Sequence, residues 1–401
     1  MSLESSNVKS PLDRTSTPAR PERPTPKHIF EGHEDQVWNF AFLHDSIHIV
    51  SGSHDSTMRK LDCDTRLLVA EPWKGEGGGI WALGLSPDGK TIACGREDGS
   101  LQRWNTDGEI SEGVWMGHSD SVRSVSWSPN GGHIASGSED GTILIRKVEN
   151  GEVEVGPIET KQVKVYSVAY SPSGERIASG GLDKTICIWG SNTGELLVGP
   201  IKDLGNSVTS VVWSSDSSKL HSASDKFVRV FDSMLGTELH RFQHNNYVNS
   251  VALSPNHNVL ACVGVRGIAQ LWDTESYQSL GKPFSLEDSL QHYCVSFSRD
   301  GRYLAYGGDN KKITLWMVKD IAPELPVCAS ITILQGNNLH TRKFYLSLHH
   351  HRSLKSVLSH PTASFACSHV LHRLMPQTLL HSLESMISPR DAMTHMTIFL
   401  V

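Results

Sequence analysis

The sequence predicts an all-β protein in which seven four-stranded antiparallel units pack radially into a ring. Three observations carry that expectation. A phrase of about a dozen residues returns seven times, with its acidic turn position at Asp55, Asp98, Asp140, Asp183, Asp225, Arg266 and Asn310, so the steps are 43, 42, 43, 42, 41 and 44 residues. A Ser-Pro-Asp-Gly turn or a variant of it precedes six of these anchors, as in LSPDG (85–89), WSPNG (127–131) and YSPSG (170–174). Short alternating runs such as VRSVSW (122–127), VYSVAY (165–170) and VTSVVW (208–213) lead into those turns, the period-two pattern of a half-buried strand. A sheet of this size cannot bury its faces alone. Repeats of this length solve the problem by stacking on their neighbours.

Residues 1–26 hold five of the 18 prolines with Ser, Thr and charge, so this arm is expected to be disordered. Its Ser10-Pro11, Thr17-Pro18 and Thr25-Pro26 suit proline-directed kinases, although a plain spacer of this composition would carry such pairs anyway. Residues 27–318 contain the repeats: SGSHDSTMRKLD (51–62), CGREDGSLQRWN (94–105), SGSEDGTILIRK (136–147), SGGLDKTICIWG (179–190), SASDKFVRVFD (222–232), CVGVRGIAQLWD (262–273) and YGGDNKKITLWM (306–317). Each unit reads strand, turn, strand, turn, strand, with a further strand leading into the next. Residues 319–401 have one glycine (Gly336), no tryptophan and nine of the 21 histidines, and carry a formal charge of +3. That stretch is expected to be a poorly structured His/Ser-rich tail outside the ring. Its one candidate element is a short amphipathic helix near Gln377–Ile387.

Composition bounds the function. Of the 401 residues, 38% are hydrophobic and 20% charged, enough for a packed core. A net charge of −6 argues against a protein built to coat nucleic acid. No run of 18 apolar residues is present, so no membrane span is expected. The N-terminus has no apolar h-region. Seven scattered cysteines and the absence of an Asn-x-Ser/Thr site fit a reducing compartment, so the cytoplasm, or the nucleus, is the expected location.

The pattern resembles the WD-repeat β-propeller family. Gly32-His33 and Gly117-His118 match the family's Gly-His, Gln243-His244 matches it in part, and Trp272-Asp273 is the true Trp-Asp. Leu61-Asp62, Trp104-Asn105, Trp189-Gly190 and Phe231-Asp232 are near variants. The resemblance covers about 28–318 and implies a seven-bladed β-propeller. It also implies that Lys27-His28-Ile29-Phe30 closes the ring by pairing with Lys312–Met317. Within each blade, it implies a buried network of loop His, strand Ser, turn Asp and third-strand Trp. The matching positions are His33, Ser51 and Asp55; Asp98 and Trp104; His118, Ser136 and Asp140; Ser179, Asp183 and Trp189; Asp225; His244 and Trp272; and Trp316. No repeat keeps all four members. Leu61 and Arg146 replace Trp, Glu76, Lys161 and Leu204 replace His, and Arg266 and Asn310 replace Asp. Blades two, five, six and seven are therefore expected to rely more on packing.

Other patterns imitate chemistry. His33, Ser51 and Asp55 read as base, nucleophile and acid, but a trio that recurs by repetition is better explained as a fold-stiffening network. Cys94, Cys187 and Cys262 fall in strands as small buried hydrophobes, and no Cys-x-x-Cys pair suggests zinc. His349-His350-His351 could take a transition metal, but a solvated tail explains it better. The glycine run at 75–79 lacks a following Lys-Ser/Thr and is read as a loop. No cofactor and no metal are expected.

The resemblance places two sets of side chains at the narrow mouth of the central channel. One lies at the start of each inner strand: Trp38, Trp81, Arg123, Tyr166, Thr209, Asn249 and Tyr293, with Lys164 and Tyr247 nearby. The other precedes each turn anchor: His54, Glu97, Glu139, Leu182, Ser224, Val265 and Asp309. Trp, Tyr and Arg are the types enriched at binding hot spots, although some could simply plug the channel. The expected function is a non-enzymatic scaffold, a monomeric ring within a complex, that binds a peptide or partner domain of another protein across this mouth. Two alternatives remain. One is a propeller hydrolase using Glu97, Glu139, Asp309 and His54. The other is a substrate receptor of a ubiquitin ligase, although Trp272-Asp273 is followed by Thr274-Glu275 rather than x-Arg. The repeat wording also resembles arrays attached to nucleotide-binding signalling ATPases, but the chain contains no P-loop.

Overall fold

The computed structural model describes residues 24–284 and 290–325, with the backbone of two further strands at 328–335 and 338–345. Seven four-stranded antiparallel sheets follow one another along the chain. Their inner strands are Val37–Phe42, Ile80–Leu85, Val122–Trp127, Val165–Tyr170, Ser210–Trp213, Val248–Leu253 and His292–Phe297. Each packs against the inner strand of the next blade, and the last packs against the first, so the ring is closed. A seven-bladed propeller is thus the fold.

The turns form as their residues dictate. In the second blade Gly89 takes φ +75°, Ser86 Oγ donates to Asp88 at 2.5 Å, and the Thr91 N–H donates back to Ser86 Oγ at 2.9 Å. The same serine receives the amide five residues on at Ser128, Ser171, Ser214, Ser254 and Ser298. The first hairpin of blades two to seven is therefore held by bonds within its own turn. Apolar layers between neighbouring sheets form the core, for example Val50, Met58, Ile80 and Ile92 between the first and second blades. Neighbouring inner strands are also stapled. The Trp127 and Trp213 indoles donate to the Gly84 and Ala169 carbonyls, each at 2.9 Å.

The ring closes through the chain's N-terminal side. His28, Ile29 and Phe30 pair with Leu315, Thr314 and Ile313, and the Lys27 N–H donates to the Leu315 carbonyl at 2.7 Å. Phe30 is 5% exposed. Lys27 Nζ reaches Asp64 at 2.6 Å and Tyr303 Oη at 2.8 Å, linking the seventh blade to the first.

After the seventh blade a short helix, Val318–Ile321, ends the compact unit, which runs to Ala322. In the second unit, Cys328–Gln335 and Asn338–Tyr345 form a separate two-stranded sheet. The tail therefore contributes no blade among the described residues, but it does contain a hairpin that the sequence reading did not anticipate. Residues 1–23, His349-His350-His351 and the helix expected near 377–387 lie outside the described residues. The described cysteines Cys63, Cys94, Cys187, Cys262 and Cys294 are free and buried. Burial raises their thiols, that of Cys63 to about 12 and those of Cys94 and Cys187 to about 11, which suits packing rather than reactivity.

Candidate functional site

Six of the seven inner strands lose register with their neighbour at their second residue. The pairing skips from Val37 to Asn39, Ile80 to Ala82, Val122 to Ser124, Val165 to Ser167, Val248 to Ser250 and His292 to Cys294. The skipped residues are Trp38, Trp81, Arg123, Tyr166, Asn249 and Tyr293. A bulge leaves one residue unpaired and re-aims its side chain. In the fifth blade Thr209 lies just outside the inner strand, its N–H donating to the Ala223 carbonyl at 3.0 Å.

Five of these side chains meet. Trp38 stacks on Tyr293 with ring centroids 4.1 Å apart, and lies 4.3 Å from Trp81. The Arg123 guanidinium lies over Trp81 at 3.8 Å, Trp38 at 4.7 Å and Tyr166 at 5.5 Å. The cluster spans blades seven, one, two, three and four. Its rings remain partly exposed, while the Arg123 side chain keeps only 16% of its surface. Arg123 is therefore the mortar of the cluster and the rings are its outer face. Burial lowers the Arg123 pKa, opposed by Glu139, Tyr166 and Tyr293. From so high a starting value it stays a cation, held by cation–π attraction. The Nε1 atoms of Trp38 and Trp81 are shielded from solvent and have no acceptor among the described residues.

A carboxylate rim surrounds the cluster. Tyr293 Oη and Gln36 Nε2 both donate to Asp309 Oδ1, at 2.7 and 2.8 Å. Burial and this carboxylate push the Tyr293 phenol well above its ordinary value. Glu139 stands 3.5 Å from Arg123 and pairs with Lys164. His54 sits 3.2 Å from Asp35, 3.7 Å from Glu97 and edge-on to Trp81. The Gln36 amide and then His54 hold the Asp35 carboxyl below its usual range. Glu97 accepts from the Gly79 N–H at 3.0 Å. Gln36 and Asp35 were not foreseen; they lie in the loop before the first inner strand, where spacing gives no signal. Asn249 turns to the His292 carbonyl at 3.0 Å, Tyr247 stands exposed over the sixth blade, and Leu182 and Val265 sit beside blades four and six. Ser224 is buried, against expectation. It donates to the Leu204 carbonyl and accepts from Arg229, so it belongs to the interior.

Beneath the mouth the polar networks differ from blade to blade. His33 bridges Asp55 and Ser51, both at 2.8 Å, and His118 bridges Asp140 and Ser136 at 3.0 and 2.9 Å. Burial raises the Asp55 and Asp140 carboxyls, but hydrogen bonds from these histidines and from Thr57 and Thr142 outweigh it and hold both far below the usual range. Where the third blade lacks Trp, Arg146 donates to the Gly151 and Met116 carbonyls instead. In the fourth blade Trp189 donates to Ser179, and Ser179 to Gln162. Gln162, not Lys161, therefore occupies the histidine's place, one residue later than register assigns it. Asp183 accepts from the Thr185 N–H and hydroxyl. Trp272 donates to His244 at 3.2 Å.

Blades two and five keep polar interiors rather than relying on packing alone. Buried Arg96 donates to Gln102 and to the Gly78 carbonyl, and buried Arg229 grips Asp225 with two bonds of 2.9 Å. Asp98 accepts from the Ser100 N–H and meets no histidine among the described residues. Trp104 and Trp316 are buried with their indole N–H groups unmatched among the described residues.

Among the described residues, the carboxylates around the cluster are held by Arg123, Lys164, Tyr293, Gln36, His54 or backbone groups. Among the described residues no group of three or more His, Cys, Asp or Glu is arranged to hold a metal. A cavity of about 170 Å³ lies away from the mouth, at the hairpin turns of blades three and four. There Glu154 is already compensated by His133 and Lys147.

Comparison with known proteins agrees with this architecture. The family model "WD domain, G-beta repeat" matches seven segments, 24–60, 68–105, 111–146, 156–190, 199–232, 236–273 and 287–317, together well over half of the chain. The chain is 33% identical over 126 residues to "Apoptotic protease-activating factor 1" of Rattus norvegicus, covering 31% of this chain and 10% of that protein. It is 32% identical over 90 residues to "Small ribosomal subunit protein RACK1z" of Oryza sativa subsp. japonica, covering 21% and 26%. It is 26% identical over 97 residues to "Ribosome biogenesis protein WDR12 homolog" of the same rice, covering 21% and 22%. The matches thus span about a quarter or less of each relative's length.

Proposed function

We propose, given that this chain belongs to the WD-repeat family, that it is a non-enzymatic scaffold which binds a peptide or partner domain of another protein across the mouth formed by Trp38, Trp81, Arg123, Tyr166 and Tyr293. Propellers of WD repeats generally act as protein-interaction scaffolds. The relatives fit that setting: two are named for the ribosome or its biogenesis and one for activation of a protease. The observation that carries the reading is the contiguous aromatic–guanidinium cluster raised on bulges at one end of the ring. Rigid rings offer large contact area at little entropic cost.

The test is a set of Ala substitutions at Trp38, Trp81 and Tyr166, with affinity for a co-purified partner and melting temperature measured on the same proteins. Truncating a true anchor costs about 2 kcal/mol or more of binding and leaves melting nearly unchanged. Lowered melting with unchanged affinity would mean that the rings only plug the channel, and the reading would fall.

A further inference from the structure

Among the described residues, the loop entering the fourth blade is the one place at the mouth where a β-branched residue is held in a left-handed backbone. Val163 has φ +65°, and the Lys164 N–H donates to the Gln162 carbonyl at 2.7 Å, which closes a positive-φ γ-turn around it. Such turns are rare and strained, and a β-branched residue there is a real outlier. The connection is also short here. Gln162 is buried and hydrogen-bonded to Ser179 and Thr185, in the place taken by His33 and His118. It leaves two residues before the inner strand where those blades have three. The equivalent γ-turn of the fifth blade, closed by Asn206 N–H on the Leu204 carbonyl, is centred on Gly205 at φ +76°. Glycine would relieve the fourth blade too, yet the sequence places valine there, with 62% of its surface exposed; Leu182, whose N–H donates to the Lys164 carbonyl, is 36% exposed. An exposed apolar side chain that keeps a strained backbone points to use outside the fold.

The surrounding charge says what kind of partner. Lys161, Lys184, Lys202 and Lys226 lie on the same loops of blades four and five, and all are exposed. None has an ion-pair partner among the described residues. Asp183 and Asp225 are turned to Thr185 and Arg229, leaving Asp203 as the exposed carboxylate of these loops. Across the channel the sign reverses, with Glu34, Asp35, Glu97 and Asp120 on the loops of blades one to three. Resting on the mouth-binding reading above, we infer that the partner is an acidic peptide segment carrying an apolar side chain. Its carboxylates lie over the blade four and five lysines, and its apolar residue lies on Val163 and Leu182. The apolar contact favours such a segment over a nucleic acid, whose phosphates alone would satisfy the lysines.

The experiment uses the full chain and a short fluorescein-labelled peptide of Asp and Glu around a central Leu, read by anisotropy. Binding that weakens with salt is expected. It should fall by roughly tenfold or more, as for loss of an anchor, in Val163→Gly and in the pair Lys161→Glu with Lys184→Glu. Val163→Gly should melt at or above the parent temperature, which separates lost contact from lost fold. Unchanged affinity in Val163→Gly, or no binding of the acidic peptide, overturns the inference. So does tighter binding of a Lys-substituted peptide or a single-stranded oligonucleotide. If that tighter ligand is lost in Trp81→Ala, the mouth still binds and only the acidic partner is wrong; if it is not, the mouth reading fails as well.

Discussion

Deleting residues 1–31 removes the strand that closes the ring, while deleting 1–22 leaves it in place. The difference can be worked from the contacts. The longer deletion takes the pairing of His28, Ile29 and Phe30 with the seventh blade, and the Lys27 bond to Leu315. With net backbone hydrogen bonds at about 1 kcal/mol each, this is about 3–4 kcal/mol. Phe30 is almost fully buried among Phe42, Leu61 and Leu315, and losing such a phenylalanine costs about 3–5 kcal/mol. The sum of roughly 6–9 kcal/mol is comparable with the whole stability of many domains. The single substitution Phe30→Ala isolates the packing part. For a unit of this size, about 2 cal/mol/K of unfolding entropy per residue turns 3–5 kcal/mol into a fall of about 5–8 °C. Calorimetric melts of the full chain, both truncations and Phe30→Ala make the comparison. The 1–31 deletion should melt far lower or fail to fold, and the 1–22 deletion should match the full chain. Equal melting of the two truncations would refute the closure.

Two further perturbations address the interior. Asp225→Asn strips the buried Arg229 of its bidentate carboxylate and leaves Glu238 at 3.5 Å as its ion-pair partner, so it should cost about 2 kcal/mol in a urea titration. The double change with Arg229→Met should recover most of that loss, and failure to recover would show that the pair does not act as a unit. Burial lowers buried His221 to about 4, against an unfolded value near 6.5. The unfolded chain thus binds the extra proton between those values, so stability should fall as pH drops from about 6.5 to about 4, by up to about 3 kcal/mol. Burial lowers His244 in the same direction. His221→Gln should flatten part of that slope in pH-dependent melts, and an unchanged slope would contradict the assignment.

The ring was legible because the same local instruction is written repeatedly. Ser-Pro-Asp-Gly turns or their variants mark the hairpins of six blades, and the family resemblance, applied by register, placed Trp38, Trp81, Arg123, Tyr166 and Tyr293 at the start of the inner strands. The same resemblance implied the closing strand at Phe30 and its pairing with Lys312–Met317, which the structure shows. Register fails where a side chain is replaced from a different position. Gln162 does the histidine's work one residue late, and Arg229 reaches Asp225 from four residues beyond it, so a column of equivalent positions shows only a missing histidine. The same limit applies to Ser224, whose place in the repeat says mouth but whose hydroxyl is drawn inward by Leu204 and Arg229. That Arg123 is sealed between rings, rather than offered to solvent, is a fact of neighbouring blades that one strand cannot report. The hairpin of Cys328–Gln335 and Asn338–Tyr345 has a local sequence signal, β-branched Ile331, Thr332 and Ile333 ahead of a Gly336-Asn337 pair.

The central claim is that partners engage the mouth. A photo-crosslinking amino acid placed at Tyr166, and in a second protein at exposed Leu196 on the outer strand of the same blade, tests it directly. Irradiation with a partner that co-purifies with the full chain should give a covalent adduct from position 166 and none from position 196. An adduct from the outer strand alone would place the interaction on the blade's edge and contradict the account.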